Sequence, residues 1–193
     1  MQDHVTAGPV GATSLLTGQS CSGQDDRWCV RLTGVTVWLL VGLTGSGKTT
    51  FAHRLEARGV VRLSVDEEVF ARHGRYGVDY HESEYPEKEA PVVVEVYRRL
   101  AELVAAGRDV VLDAGLWRRT DRDEVKKLVE AAGGAWRLIY FDVGRDELLR
   151  RLAERNRRGD ANALRVTPEA LQDFIDRFEP PSGEGEERFD GAL

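Results

Sequence analysis

Val35-Thr36-Val37-Trp38-Leu39-Leu40-Val41-Gly42-Leu43-Thr44-Gly45-Ser46-Gly47-Lys48-Thr49-Thr50 decides the fold of this chain. Its first seven residues are apolar and rich in β-branched side chains, which predicts a buried strand. Gly42 to Thr49 fit the pattern G-x-x-x-x-G-K-[ST]. Lys48 to Arg58 then sets Phe51, Ala52 and Leu55 on one helical face and stops at Gly59. A strand, a glycine loop and a helix in that order form the setting of a phosphate-binding loop. The glycines let the backbone curl until successive N–H groups point into one concavity, an anion nest. The helix that starts there adds free N–H groups and the positive end of its dipole. Gly42, Leu43, Thr44, Gly45, Ser46, Gly47, Lys48, Thr49 and Thr50 are therefore expected to hold a nucleotide. Lys48 would reach the β- and γ-phosphates, and the Thr49 hydroxyl would coordinate Mg²⁺.

The 193 residues suit one domain with its own core. A net charge of -6 argues against wholesale wrapping of nucleic acid but leaves room for a local basic groove. Two cysteines, Cys21 and Cys29, are too few for a disulfide scaffold, and their pairing is open. Cys/His metal spacing, a run of membrane-spanning length and the start of a signal peptide are all missing from the sequence. A cytoplasmic protein is expected. Residues 1–33 are polar and aperiodic and read as a flexible leader. Residues 34–181 read as the folded domain, and 182–193 as an acidic, glycine-containing tail.

Further strands are expected over Val60–Val65, Asp109–Asp113 and Trp136–Asp142. Helices are expected from about Lys88 to Ala106, from a Thr120 cap to about Ala132, over Arg145–Arg158, and from Thr167-Pro168 to just before Pro180-Pro181. Strands alternating with helices imply a parallel sheet covered on both faces. Ligand chemistry then gathers at the carboxyl ends of the strands. That geometry singles out Asp66 and Asp113. Asp66, 18 residues past Lys48, would stand beside the γ-phosphate and accept the proton of an acceptor hydroxyl. Its alternative role is to cap the helix starting at Glu67, and Glu67 is the neighbouring candidate base. Asp113 ends an apolar strand, as in a Walker-B segment, and would hold Mg²⁺ directly or through water.

Arg118 and Arg119 follow on the loop above the sheet, where an anionic acceptor or the moving phosphoryl group could be bound. Arg150, Arg151, Arg155, Arg157 and Arg158 crowd one helix end. Arg151, Arg155 and Arg158 form the stripe best placed to cover phosphates, with a lid over about 150–167. Phe70, His73, Tyr76, Tyr80, His81 and Tyr85 fall where an acceptor pocket would be built.

Taken together, the loop, Asp66, Asp113, the arginine-rich segment and Phe178-Glu179-Pro180-Pro181 resemble the small P-loop "predicted kinases" over about residues 35–181. That family is similar to 5′-polynucleotide kinases, chloramphenicol phosphotransferase and zeta-toxin-type kinases. The resemblance implies an α/β fold, a P-loop NTPase three-layer αβα sandwich with a mostly parallel central sheet and a helical lid. It also implies Asp66 as acceptor base, Arg155 and Arg158 as ATP-contacting lid arginines, and an adenine pocket near the final Pro-Pro. ATP and Mg²⁺ are the expected cofactors. The acceptor would be a small molecule or, less favoured, a nucleic-acid 5′ end. A regulatory ATPase without an acceptor is the alternative. A GTPase is not indicated, since no N-K-x-D motif occurs. The family usually carries one more strand after the last helix, and here only Glu187-Arg188-Phe189-Asp190 could supply it, so that strand is expected to be short or missing.

Overall fold

The computed structural model describes residues 34–158 and 166–189, the side chains of residues 82, 157 and 158 excepted. The leader with Cys21 and Cys29, and residues 159–165 of the expected lid, lie outside the described residues.

Five parallel strands form one sheet in the order β2-β3-β1-β4-β5. They are β1 (Thr36–Val41), β2 (Val61–Ser64), β3 (Val110–Asp113), β4 (Ala135–Phe141) and β5 (Glu186–Phe189). β1 is central, pairing Val37 with Val110 on one side and with Trp136 on the other. Every residue of β1 is buried, as expected of a parallel strand covered on both faces.

The helices are α1 (Lys48–Glu56), α2 (Val65–His73), α3 (Tyr85–Ala105), α4 (Arg119–Ala131), α5 (Arg145–Arg158) and α6 (Pro168–Arg177), with a 3₁₀ turn at Glu82–Glu84. Along α3 the buried residues are Val92, Val96, Leu100 and Val104, a single stripe at helical spacing. They meet Val37, Leu39 and Val41 of β1 with Val65 and Val69 of α2 and Val125 and Val129 of α4. α1 covers the other face, where Phe51, Phe141 and Phe189 pack ring against ring at 4.9–5.6 Å. A smaller cluster of Leu148, Leu152, Val166 and Leu171 joins α5 to α6.

Three boundaries differ from the sequence reading. The second strand ends at Ser64, because Ser64 caps α2 by accepting the amide of Glu67. Asp66 is therefore in the first turn of α2 and not at a strand end. α4 begins at Arg119, and Thr120 is not its cap. A remote carboxylate does that work, Glu179 Oε2 accepting the amide of Arg119 at 2.8 Å. Finally, the stretch read as an acidic tail contains β5, paired with β4 from Leu138–Glu186 to Phe141–Phe189. The fifth strand is short, four residues, and it is present.

β5 is anchored by an ion pair that leaves no apolar signal in the sequence. Arg122 of α4 is wholly buried and meets Glu184 through two bonds, at 2.7 and 2.8 Å. Arg122 also donates to the carbonyls of Leu116 and Trp117, and Lys126 donates to the Glu184 carbonyl. One guanidinium thus ties the approach to β5 to the loop that follows β3. That loop carries a left-handed, non-glycine residue, Leu116 at φ 42°, a conformation that needs such external support.

Candidate functional site

The phosphate loop runs from Gly42 to Gly47 between β1 and α1. Gly42, Gly45 and Gly47 hold φ values of 151°, 80° and 106°, a region that side-chain-bearing residues rarely adopt. A Cβ on Gly42 would come within 2.9 Å of Ser46 Oγ and 3.0 Å of the Phe141 carbonyl. The cradle is therefore closed to anything larger than hydrogen at that point. Lys48 lies across its mouth, donating to the carbonyls of Gly42 (2.7 Å) and Leu43 (3.0 Å). Burial pulls the Lys48 ammonium below its ordinary pKa, while Asp113 and Asp66 draw it back up.

α5 brings its arginines to this loop. Arg151 donates to the Ser46 carbonyl at 3.2 Å and is held from behind by Glu147. Arg155 reaches Thr44 Oγ1 at 3.4 Å. Arg158 ends α5, and its side chain lies outside the described residues. Of the expected stripe, Arg151 and Arg155 lie against the glycine loop.

Thr49 and Thr50 open to solvent in the first turn of α1. Thr49 Oγ1 donates to Asp113 Oδ1 at 3.4 Å, joining the loop to the end of β3. Two hard oxygen donors side by side suit Mg²⁺ better than a softer metal. Among the described residues no cluster of three or more His, Cys, Asp or Glu forms a metal cage. A site of this kind leaves most coordination to phosphate and water, which is how Mg²⁺ is usually held. The glycine cradle, Lys48, Thr49 and Asp113 thus fit a magnesium nucleotide.

Asp66 stands in the first turn of α2, solvent-accessible but with protein crowded round its carboxyl. That crowding raises its pKa; a hydrogen bond from the Tyr85 hydroxyl (3.1 Å) and the charge of Lys48 partly offset the rise. The same hydroxyl lies 3.3 Å from Glu89 Oε1, and burial raises Glu89 as well. Tyr76 packs edge-on against Tyr80 and Tyr85 at 6.1 and 5.4 Å. Tyr80 feels the charge of Asp66 and Glu89. Three tyrosines and two carboxylates therefore gather on the cleft wall.

Glu67, the neighbouring candidate base, is engaged elsewhere: Arg62 meets it through two bonds of 2.8 Å and holds its carboxyl below the usual range. Arg118 and Arg119 are exposed, and Arg119 pairs with Asp123 of its own helix at 3.8 Å. The contacts of Arg62 with Asp113 and Glu67, and the capping contact of Glu179 with Arg119, escape sequence reasoning. The signal for Arg62 was a lone charge inside an apolar strand, Val60-Val61-Arg62-Leu63-Ser64-Val65.

Among solved structures, the chain is similar to a provisionally named kinase from Chloroflexus aurantiacus J-10-fl, with a TM-score of 0.64, 19% identity, and 82% of this chain and 87% of that one covered. A gluconokinase from Sinorhizobium meliloti 1021 gives a TM-score of 0.56 at 22% identity, with 85% and 86% covered. A chain of the Pnkp1/Rnl/Hen1 RNA repair complex gives 0.62 at 20% identity, covering 80% of this chain and 50% of that one. No curated protein matches the chain in sequence. Identities this low speak for the fold, a P-loop kinase-like α/β sandwich, and for nothing finer. No helix among the described residues is long and apolar enough to cross a membrane. The family model described as an AAA domain matches residues 37–181, three-quarters of the chain and all of the site above, and the chain belongs to that family.

Proposed function

We propose that this protein is a phosphotransferase that moves the γ-phosphoryl group of Mg·ATP to the hydroxyl of a small molecule. The observation that carries the reading is Asp66: a carboxylate near Lys48 that is released from capping by Ser64 and left apart from the ion pair of Glu67. In a regulatory ATPase the same carboxylate would orient water in place of an acceptor hydroxyl, and the transfer screen below separates the two.

When bound, Mg·ATP supplies the phosphoryl group and a metal charge that offsets the negative charge on the phosphates. The loop amides and Lys48 hold the phosphates. Arg155 and Arg151 approach from α5 and add positive charge where it is needed as the phosphoryl group moves. Asp66 accepts the hydrogen of the acceptor hydroxyl and keeps its oxygen in line. The new bond joins that oxygen to the γ-phosphorus, the bond to the bridging oxygen breaks, and the proton passes to Asp66 Oδ.

Surroundings of Asp66 favour a neutral or cationic acceptor over a nucleic-acid end. Glu89 adds a second carboxylate, and Lys88 is occupied by Glu84 and by the Tyr80 ring. Tyrosine faces and edges suit a polyhydroxylated ring. A phosphate backbone would meet repulsion there. Arg118 and Arg119, exposed on the rim, are the remaining candidates for a second acceptor contact.

The test is a transfer screen with γ-labelled ATP against pooled sugars, nucleosides, aminated antibiotics and 5′-hydroxyl oligonucleotides, with Lys48→Ala as control. Label on one small-molecule class, lost in the control, supports the reading. Label on the oligonucleotide alone overturns the acceptor class. ATP hydrolysis, lost in the control, with no label on any acceptor overturns the kinase assignment in favour of a regulatory ATPase.

A further inference from the structure

Arg62 is the residue around which the carboxylates of the site are sorted. It lies in β2, two positions before Ser64, and Ser64 is in register with Asp113 of β3. Side chains alternate along a strand, so Arg62 and Ser64 share a sheet face, and so do Val111 and Asp113. Arg62 thus starts beside Val111 and reaches along that face toward the carboxyl edge. Its side chain is only 5% exposed, as is that of Asp113.

The guanidinium is used on two sides. Nε and one terminal nitrogen donate to Asp113 Oδ2 at 3.2 and 2.7 Å. Both terminal nitrogens donate to Glu67, at 2.8 Å each. With Oδ2 clamped, the other oxygen of Asp113 is the one that faces Thr49, at 3.4 Å. A chain of contacts therefore runs Glu67–Arg62–Asp113–Thr49 from α2 through two strands to the first turn of α1. Asp66 stands outside it, with Tyr85 as its partner.

A buried aspartate with two side-chain torsions and Lys48 nearby has other places to turn. A planar fork that grips one oxygen removes that freedom, and an ammonium, being a point donor, does not. The same fork occupies Glu67, and Glu68 pairs with Arg72 and Arg99, so that of the three adjacent acids in the first turn of α2 Asp66 alone has no arginine partner among the described ion pairs.

We propose that Arg62 is a positioning residue for the magnesium site: it fixes Asp113 so that Oδ1 is presented beside Thr49, and by holding Glu67 it assigns the base role to Asp66. The first half rests on the nucleotide reading above and is tested without any acceptor.

Isothermal titration of the full chain with ADP, with and without Mg²⁺, separates the two. In the wild type Mg²⁺ should tighten ADP binding; if it does not, the nucleotide reading itself fails. In Arg62→Gln, metal-free ADP affinity should stay within about twofold of wild type. The magnesium-dependent gain should shrink by about 10- to 100-fold, the usual cost of removing a group that orients a metal ligand. Asp113→Asn should show the same loss, and the double variant should lose no more than Asp113→Asn alone. A wild-type magnesium gain in folded Arg62→Gln overturns the proposal. So does an equal fall in metal-free and magnesium-supported binding, which marks a purely structural ion pair. Arg62→Lys keeps the buried cation and guards against a variant that fails to fold. It should lose the magnesium gain, and wild-type behaviour there would show that the fork is not required and overturn the proposal.

Discussion

Ser64 Oγ accepts the backbone amide of Glu67 at 3.4 Å, and so the first turn of α2 is closed by a serine and not by the aspartate that follows it. The capping role, the strongest alternative use for Asp66, is already filled. Two substitutions then separate stability from chemistry. Ser64→Ala should lower stability by about 1 kcal/mol, the usual cost of losing a serine cap. Asp66→Asn should not lower the urea midpoint and should slow phosphoryl transfer by about 10²- to 10⁴-fold. Near-wild-type transfer by Asp66→Asn would remove it from the reaction.

Tyr85 tunes that base. Burial raises the Asp66 pKa and the Tyr85 hydrogen bond lowers it, so Tyr85→Phe should raise it further. A base works only when deprotonated. The acid limb of the kcat/KM profile should therefore lie above the ordinary aspartate value of about 3.9 and move to still higher pH in Tyr85→Phe. For stability the sign is opposite. A carboxyl with a raised folded pKa favours the folded state below its unfolded pKa, and that contribution is lost as pH rises through the folded value. An acid limb that stays put in Tyr85→Phe would show that Asp66 does not set it.

Arg155 touches the loop through Thr44 and adds positive charge near Lys48. Its role should be felt where charge moves, in the transition state more than in bound ADP. Arg155→Ala is expected to lower kcat by roughly 10²- to 10³-fold, as for loss of one oriented donor. ADP affinity should fall only a few-fold. Parallel losses in both would make Arg155 a ground-state binding contact.

The pair formed by Arg122 and Glu184 should be among the costliest to break. Glu184→Gln leaves a wholly buried guanidinium without its counter-charge, a loss of about 3–5 kcal/mol. Replacing both partners, as Arg122→Met with Glu184→Leu, should recover much of that loss. Denaturant midpoints of the single and double variants decide it; a Glu184→Gln midpoint equal to wild type would show the pair to be idle.

The parts of this fold that were legible in sequence are those with a local signature. β1, the glycine loop and α1 announce themselves in one unbroken stretch, Thr36–Glu56, because backbone shape and periodicity both demand them. Thr167 and Pro168 mark the start of α6 for the same reason, and Thr167 accepts the amide of Ala170 as a cap should. What stayed hidden is held by contacts distant in sequence. The carboxylate over the start of α4 comes from Glu179, sixty positions on. The buried stripe of α4 includes Arg122 and Lys126, whose charges disguise a core face until Glu184 is seen beside them. In the sequence β5 is expected to be short or missing because its four residues, Glu186-Glu187-Arg188-Phe189, carry three charges and read as solvated chain. Asp113 is singled out by its place at a strand end, yet Arg62, which pairs with it, is not encoded by any spacing.

The sheet order has a consequence for how the chain is made. β1 lies at the centre, but both strands that flank it, β3 and β4, come much later in the sequence. Val37 waits roughly seventy residues for Val110, several seconds at the usual pace of about 5–20 residues per second in synthesis. Throughout that interval the most apolar strand of the protein has neither hydrogen-bonding neighbour. Parallel pairing over such separations is slow even in a complete chain. The strand that builds the phosphate loop is thus the segment most in need of shelter while the protein is being born, and its yield in cells should respond to translation speed and chaperone supply more than its final stability suggests.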